Sequence, residues 1–303
     1  MKDMQALDQA SQPAGDQAAG LQKRGPAAKQ AAPLRVIAVT SGKGGVGKTS
    51  ITANLALLAA AQGLRVLIID ADIGLANVEI LYGLKPRLHL RHAIQNKVPL
   101  SQVIARGPRG VDVLPSGAGN QDQFDLGDEG RQTLLHALEE LEDRYDLVLV
   151  DSGSGIGDNV LFFVAAAQEA LLIVSPEPTS LSDAYAAVKA LCQHGARRFR
   201  VIVNGVQSDE AARRVFDRLT QVTSRFLTAN VRFLGWLPRD ESVPRAIIAQ
   251  RPVVDAFPKS SFSRALGNVA DALLREPARA PLNGGVKLLW HRLLRESHDA
   301  GGL

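Results

Sequence analysis

One stretch constrains this chain more than any other: Gly42-Lys43-Gly44-Gly45-Val46-Gly47-Lys48-Thr49. It fits the pattern G-x-x-x-x-G-K-[ST] and stands between an apolar run at 35–40 and a helical run at 49–62 that Gly63 closes. Glycines at these spacings let backbone N–H groups turn inward around phosphate oxygens, and the start of the next helix adds a favourable dipole. Lys48 is expected to reach the β- and γ-phosphates and the Thr49 hydroxyl to ligate Mg²⁺, with Gly42, Lys43, Gly44, Gly45, Val46, Gly47, Lys48, Thr49 and Ser50 forming the loop. A chance glycine turn would have to reproduce the four fixed positions of this eight-residue pattern in the correct strand–turn–helix context. A nucleoside triphosphate with its magnesium is the expected ligand.

The remainder of the chain supplies the sheet such a loop requires. Short apolar strands are expected at 65–70, 111–114, 147–151, 170–174, 200–204 and 231–236, with helices at 131–142, 182–194, 211–226 and 262–274. The strand at 65–70 is apolar between its ends, as in a parallel strand covered on both faces. Alternating β and α elements predict an α/β fold: a doubly wound, mostly parallel sheet with helices on both faces. Residues 1–33, rich in Ala and Gln with Pro13, Pro26 and Pro33, read as a flexible arm. Residues 34–276 form the expected nucleotide-binding domain, and a Pro/Gly-rich break at 277–285 sets off a last amphipathic segment at 286–295.

Composition excludes several classes. One cysteine, Cys192, allows no disulfide framework within the chain and fits a reducing cytosol. No secretory h-region and no apolar run of about 20 residues is present, so the expectation is a cytoplasmic protein without a membrane span. His89, His92, His136, His194 and His298 show no metal-ligand spacing.

Three aspartates end predicted strands. Asp70-Ala71-Asp72 closes the strand at 65–70, and Asp151 closes that at 147–151, where α/β sheets bind ligands. Phosphoryl transfer needs an oriented water and neutralised charge. Strand-end aspartates also serve as helix caps, and both uses stay open for each of them.

Lys43, directly after the first glycine, gives K-G-G-x-G-K-T. This resembles the deviant Walker A of the MinD, ParA, nitrogenase iron protein and ArsA class, in which that lysine crosses a dimer interface to the partner's nucleotide. The resemblance implies an ATP-dependent homodimer with Lys43, Lys48 and Asp72 as the catalytic set, Asp72 orienting the attacking water. It also implies that Asp70 supports the Mg²⁺ with its waters and that Asp151 is the Walker B carboxylate, followed by a γ-phosphate-sensing turn at Gly153 and Gly155. Asn204 and the Pro238-Arg239-Asp240 stretch match the class's adenine-contacting segments; no N-K-x-D guanine signature is present, which favours ATP over GTP.

Within the class, Asp70-Ala71-Asp72-Ile73-Gly74-Leu75-Ala76-Asn77 and its continuation to Leu84 resemble the FlhG (YlxH/FleN-like) flagellar regulators. So do Asp151-Ser152-Gly153-Ser154-Gly155-Ile156, Pro176-Glu177-Pro178-Thr179 with Asp183-Ala184-Tyr185, and the stretch from Asp240 to Val253. The resemblance spans about 34–275. In the arm, Asp16, Gln17, Ala18 and Leu21 resemble the D-Q-A-x-x-L-R element by which FlhG stimulates the GTPase FlhF, although Gln22 stands where that element has arginine. A solvated Ala/Gln tail is the plain alternative. Implied partners are an FlhF-like GTPase, flagellar switch (C-ring) proteins and a flagellar transcription activator; no specific nucleic acid is expected.

On a helix, Val286, Leu289, Trp290, Leu293 and Leu294 form one apolar stripe, with Lys287, His291 and Arg295 opposite. Such a helix suits reversible attachment to an anionic membrane surface, which would put the protein peripherally at the inner face of the cell membrane; packing as ordinary core is the alternative. The net charge of +4 also permits a ParA-like DNA-partitioning ATPase. A MinD-like division-site regulator fits the segments after Asp151 and Ser175 less well. An iron–sulfur carrier would need interfacial cysteine pairs, which Cys192 cannot supply.

Overall fold

The computed structural model describes residues 34–72, 77–96, 98–117, 127–139 and 142–276. The expected arm, the amphipathic segment and residues 73–76 of the aspartate motif lie outside them.

Strand β1 (Arg35–Ser41) is buried at every position and runs into helix α1 (Lys48–Ala61). β2 (Val66–Ala71) follows, then three short helices, α2 (Asn77–Leu81), α3 (Leu90–Asn96) and α4 (Leu100–Val103). β3 (Ala105–Arg106), β4 (Asp112–Leu114), α5 (Gly127–Glu139), β5 (Leu147–Ser154) and α6 (Asp158–Ala165) come next. The chain continues through β6 (Glu169–Val174), α7 (Pro178–Gln193), β7 (Arg198–Val206), α8 (Asp209–Phe226) and β8 (Asn230–Pro238). It closes with α9 (Ser242–Ile248), α10 (Val253–Ala256) and α11 (Ser261–Arg275).

The sheet order is β3-β4-β2-β5-β1-β6-β7-β8, with every pairing parallel except the two-residue edge strand β3 on β4. The side-chain period of two divides the core between the faces. Ile37 and Val39 of β1 point into a cluster with Ile51, Leu55, Phe262 and Leu266 of α1 and α11. Val36 and Ala38 point into the other, with Val160, Phe163, Val188 and Leu191 of α6 and α7. Each fully buried Leu or Ile contributes about 1.5–3 kcal/mol, so a sheet covered on both faces is the fold's main source of stability. The expected doubly wound, mostly parallel α/β architecture is the one that forms.

Local differences have local causes. The apolar stretch at 160–174 contains both helix α6 and strand β6, separated at Ala166–Gln168 by backbone turns from Ala166 N to Phe162 O and from Ala167 N to Val164 O. A run buried throughout shows no periodicity to separate helix from strand. Helices α2, α3, α4, α9 and α10 span seven residues or fewer, too short to display a 3.6-residue repeat. The helix expected at 131–142 begins earlier and ends at Glu139.

Candidate nucleotide site

β1 lies between β5 and β6, where the chain's winding changes direction. The loop after β1 therefore opens at the crevice that α/β sheets use for ligands. Gly47 is the N-cap of α1 at φ 95° and provides no side-chain cap, so the helix's first N–H groups face the crevice. Gly42 is needed for a different reason: a Cβ there would lie 2.1 Å from the carbonyl carbon of Asp183. The loop thus begins in backbone contact with α7. Ser41 Oγ donates to the Lys43 carbonyl at 2.7 Å, and Gly155 N donates to the Ser41 carbonyl at 3.0 Å. The second bond ties the turn after β5 to the start of the loop.

Lys48 is buried; burial lowers its pKa, while Asp151 and Asp72 act to raise it. In register, Asp70 of β2 lies opposite Asp151 of β5, and Val39 of β1 lies on its other side, so the three strand ends converge. Asp151 is fully buried, and burial pushes its carboxyl up to about 6 against the pull of Thr49, Lys48 and Thr52. Thr52 Oγ1 donates to Asp151 Oδ1 at 3.1 Å, whereas Asp151 Oδ2 and the neighbouring Ser50 Oγ and Thr40 Oγ1 are buried without a hydrogen-bond partner. Buried orphan acceptors and hydroxyls beside a phosphate cradle, with the Thr49 hydroxyl at hand, form an all-oxygen donor set that fits hydrated Mg²⁺.

Asp70 does not have the surroundings expected of a metal-side carboxylate. Its Oδ1 accepts from Asp72 N at 3.2 Å, and its Oδ2 from Asn77 N at 3.2 Å and Val78 N at 3.3 Å. Both oxygens serve backbone donors, which is the capping alternative, and burial together with Asp151 pushes its carboxyl well above the usual range. Asp70 thereby holds the turn that presents Asp72. Asp72 is half-buried; burial raises its pKa, while Lys48 and a 3.2 Å bond from Asn77 Nδ2 to its Oδ2 oppose the rise. Asn77 has a positioning role that sequence reasoning left unassigned, although it closes the D-x-D-x-G-L-x-N pattern. Gly153 backs Asp72, a Cβ there reaching 3.3 Å from Asp72 Oδ1.

Lys43 stands at the lip of the loop, about 37% exposed. Its ammonium pairs with Glu177, the N-cap residue of α7, and bonds Thr179 Oγ1 at 3.2 Å. It therefore points along α7 and away from the buried carboxylates that surround Lys48.

A cleft of roughly 200 Å³ continues from Gly47 past Ile51, Asn204, Pro238, Val243 and Phe262. Asn204 Nδ2 donates to the Val46 carbonyl at 2.8 Å, which holds its side-chain amide against the loop. Asp240 enters as a cap, not as a free reader of a base. Its Oδ1 accepts from Ser242 N at 2.8 Å, and its Oδ2 from Ser261 Oγ at 2.5 Å and Phe262 N at 3.0 Å. Burial opposes ionisation there, but these bonds hold its carboxyl well below the usual range. Arg239 of the expected stretch lines the cleft, and so do Ile51, Val243 and Phe262, which the sequence did not assign to it because apolar walls carry no motif.

Residues 37–253 match the family described as the CobQ/CobB/MinD/ParA nucleotide binding domain. The antiactivator FleN of Pseudomonas aeruginosa is 44% identical over 271 residues, covering 89% of this chain and 96% of FleN. The chain is a FleN/YlxH-like member of the MinD/ParA family of ATPases. The flagellum site-determining protein YlxH of Helicobacter pylori is 29% identical, covering 86% of this chain and 90% of its own length. The crystal structure of the cell division ATPase MinD from Pyrococcus furiosus superposes with a TM-score of 0.66 at 25% identity, covering 80% of this chain and 98% of that one. In this MinD/ParA-family ATPase, the loop, the strand-end carboxylates and the cleft beside Asn204 come together around one crevice. The arm residues Asp16, Gln17, Ala18 and Leu21, and the tail residues Val286, Leu289, Trp290, Leu293 and Leu294, lie outside the described residues. Among the described residues no helix is long and apolar enough to cross a membrane.

Proposed function

We propose that this chain is an ATP-dependent dimerising switch that regulates flagellar number or placement. The observation that carries the proposal is Lys43. A second lysine of the phosphate loop lies outside its own crevice, half-exposed and held only by surface partners. A cation so placed is free to serve a second molecule's nucleotide once two loops face each other. The flagellar assignment is supported by the names and near full-length matches of FleN and YlxH.

The chemistry follows from the residues present. The loop N–H groups and Lys48 bind the β- and γ-phosphates. Thr49 and Asp151 would hold Mg²⁺, which would neutralise charge on the phosphate oxygens. Asp72, fixed by Asn77 and backed by Gly153, accepts a hydrogen bond from the attacking water and orients it in line. Asp70 keeps the turn carrying Asp72 in place. The Asn204 Oδ1 acceptor suits the exocyclic amine of adenine and would face the carbonyl of guanine unfavourably, which supports ATP. The amphipathic segment at 286–295 then attaches the dimer to an anionic membrane, two weak helices acting together through effective concentration. The arm at 16–21 engages an FlhF-like GTPase, with C-ring switch proteins and a flagellar transcription activator as further partners.

Turnover by the full chain, with and without vesicles containing phosphatidylglycerol, tests this reading. Wild type is expected to hydrolyse ATP and to sediment with the vesicles in ATP; Asp72→Ala sediments without turnover, and Trp290→Glu turns over without sedimenting. An ATP-bound form that ignores vesicles and binds DNA in a salt-dependent way would replace this reading with DNA partitioning.

A further inference from the structure

At the end of the sheet opposite the nucleotide crevice, the first residues of β1, β6 and β7 carry a chain of ion pairs from Arg35 through Glu169 and Arg200 to Glu276. Arg35 donates to Glu169 and, at 2.6 Å, to the Leu273 carbonyl at the end of α11. Arg200 pairs with Glu169 at 2.7 Å and with Glu276. Two arginines face two glutamates in this chain of ion pairs.

Two further arginines share the site and are not neutralised. Arg198 lies two residues before Arg200 on the same face of β7. Arg232 of β8 is in register opposite Arg200, an arrangement in which like charges repel across the strands. Among the described residues Arg198 has no ion-pair or hydrogen-bond partner, and Arg232 has only the neutral Asn230 Oδ1 on its Nε at 3.1 Å. Arg35, Glu169, Arg198, Arg200, Arg232 and Glu276 line one shallow, open cleft. The cleft therefore has two surplus guanidinium groups at its mouth, each a planar fork suited to a phosphate oxygen pair.

The place of the cleft along the chain selects the occupant. Glu276, on its rim, is the last described residue. Val286, where the amphipathic stripe begins, is ten residues further on, a reach of at most about 35 Å. A helix lying on a bilayer and this cleft can therefore meet the same surface.

We propose that Arg198 and Arg232 form a binding site for the phosphate headgroup of anionic phospholipid, acting with the C-terminal segment when the protein is on a membrane. The proposal rests on the membrane reading above, and it adds headgroup selectivity that an amphipathic helix alone lacks. Two basic contacts of this kind strengthen attachment roughly 10–30-fold per protomer. Arg→Gln retains most of the side-chain stem, and both positions are remote from the nucleotide crevice, so ATP turnover in solution serves as the folding control.

Co-sedimentation of the full chain in Mg-ATP, with vesicles of phosphatidylcholine alone or mixed with phosphatidylglycerol, compares wild type with the double variant Arg198→Gln/Arg232→Gln. The variant is expected to lose about tenfold or more in affinity for the mixed vesicles, with little difference on neutral ones. Equal binding to the mixed vesicles would overturn the headgroup site while leaving the tail as the anchor. A second arm needs no vesicles: thermal stabilisation of the full chain by monomeric dihexanoyl-phosphatidylglycerol, against inorganic phosphate at the same concentration. Stabilisation by the lipid that the double variant loses supports the site even if wild type fails to sediment, an outcome that would sink only the tail reading. Equal stabilisation by inorganic phosphate would make the cleft a free-phosphate site and overturn the lipid assignment, as would no stabilisation by either.

Discussion

Asp151 joins the two halves of the site, since its carboxylate is fully buried between Lys48 and the hydroxyls of α1. Burial raises it to about 6, so folding of the nucleotide-free protein favours the protonated form. That contribution is complete below about pH 4, where the unfolded chain is also protonated, and is lost as pH rises through about 6. Without nucleotide, Asp151→Asn is therefore expected to be more stable than wild type above pH 7 by up to about 3 kcal/mol, the gain disappearing toward pH 4. Urea denaturation of both proteins across pH 4–8 measures this, and a constant difference across the range would refute it. Asp72 gives a second prediction. Asp72→Ala is expected to bind Mg-ATP with wild-type affinity while kcat falls at least a hundredfold. Asn77→Ala, which only frees the Asp72 side chain, lowers kcat about tenfold with KM unchanged. The motif D-x-D-x-G-L-x-N named both aspartates as candidates, and the structure separates the half-buried Asp72 from Asp70, whose oxygens serve the backbone. The sequence shows which residue types end a strand; it does not show which of them a nearby backbone N–H will occupy. Asp240 illustrates the same limit, as a base-contact candidate that caps α9 and α11.

Among elements, α1 and α7 hold the loop from two sides, and glycines mark the contacts. Gly42→Ala places a Cβ 2.1 Å from backbone of α7, which no rotamer change relieves. It is expected to destabilise the protein by more than about 3 kcal/mol, whereas Gly44→Ala, whose nearest neighbour is Ser154 Oγ at 3.5 Å, leaves stability nearly unchanged. Thermal unfolding of the two variants distinguishes them, and similar losses would contradict the packing described. At the other end of the sheet, Arg35→Ala leaves Glu169 buried with half its partners and the end of α11 untied, a loss of roughly 3 kcal/mol. The long elements were legible in the sequence: strands apolar throughout, helices with stripes, a glycine loop between them. The short helices α2, α3, α4, α9 and α10 were not, because they are too short to show a helical repeat, and neither was α6, which precedes the expected strand β6 in one continuous apolar run.

For the whole molecule, the winding of the chain places nucleotide chemistry at one end of the sheet and an arginine cleft, from which the described chain leaves, at the other. On the proposed reading, a nucleotide signal would reach a membrane or partner through a change of assembly, because two copies carry two tails. Everything in that picture depends on Lys43 leaving Glu177 for a second protomer's nucleotide. Light scattering of the eluting protein in ATP, in ADP and without nucleotide, for wild type, Asp72→Ala and Lys43→Ala, tests the point most directly. The account predicts the 32.4 kDa monomer without nucleotide and in ADP, about twice that mass in ATP, a persistent dimer for Asp72→Ala, and a monomer for Lys43→Ala that still binds ATP. A wild type that remains monomeric in ATP, or a Lys43→Ala variant that dimerises as well as wild type, would contradict it.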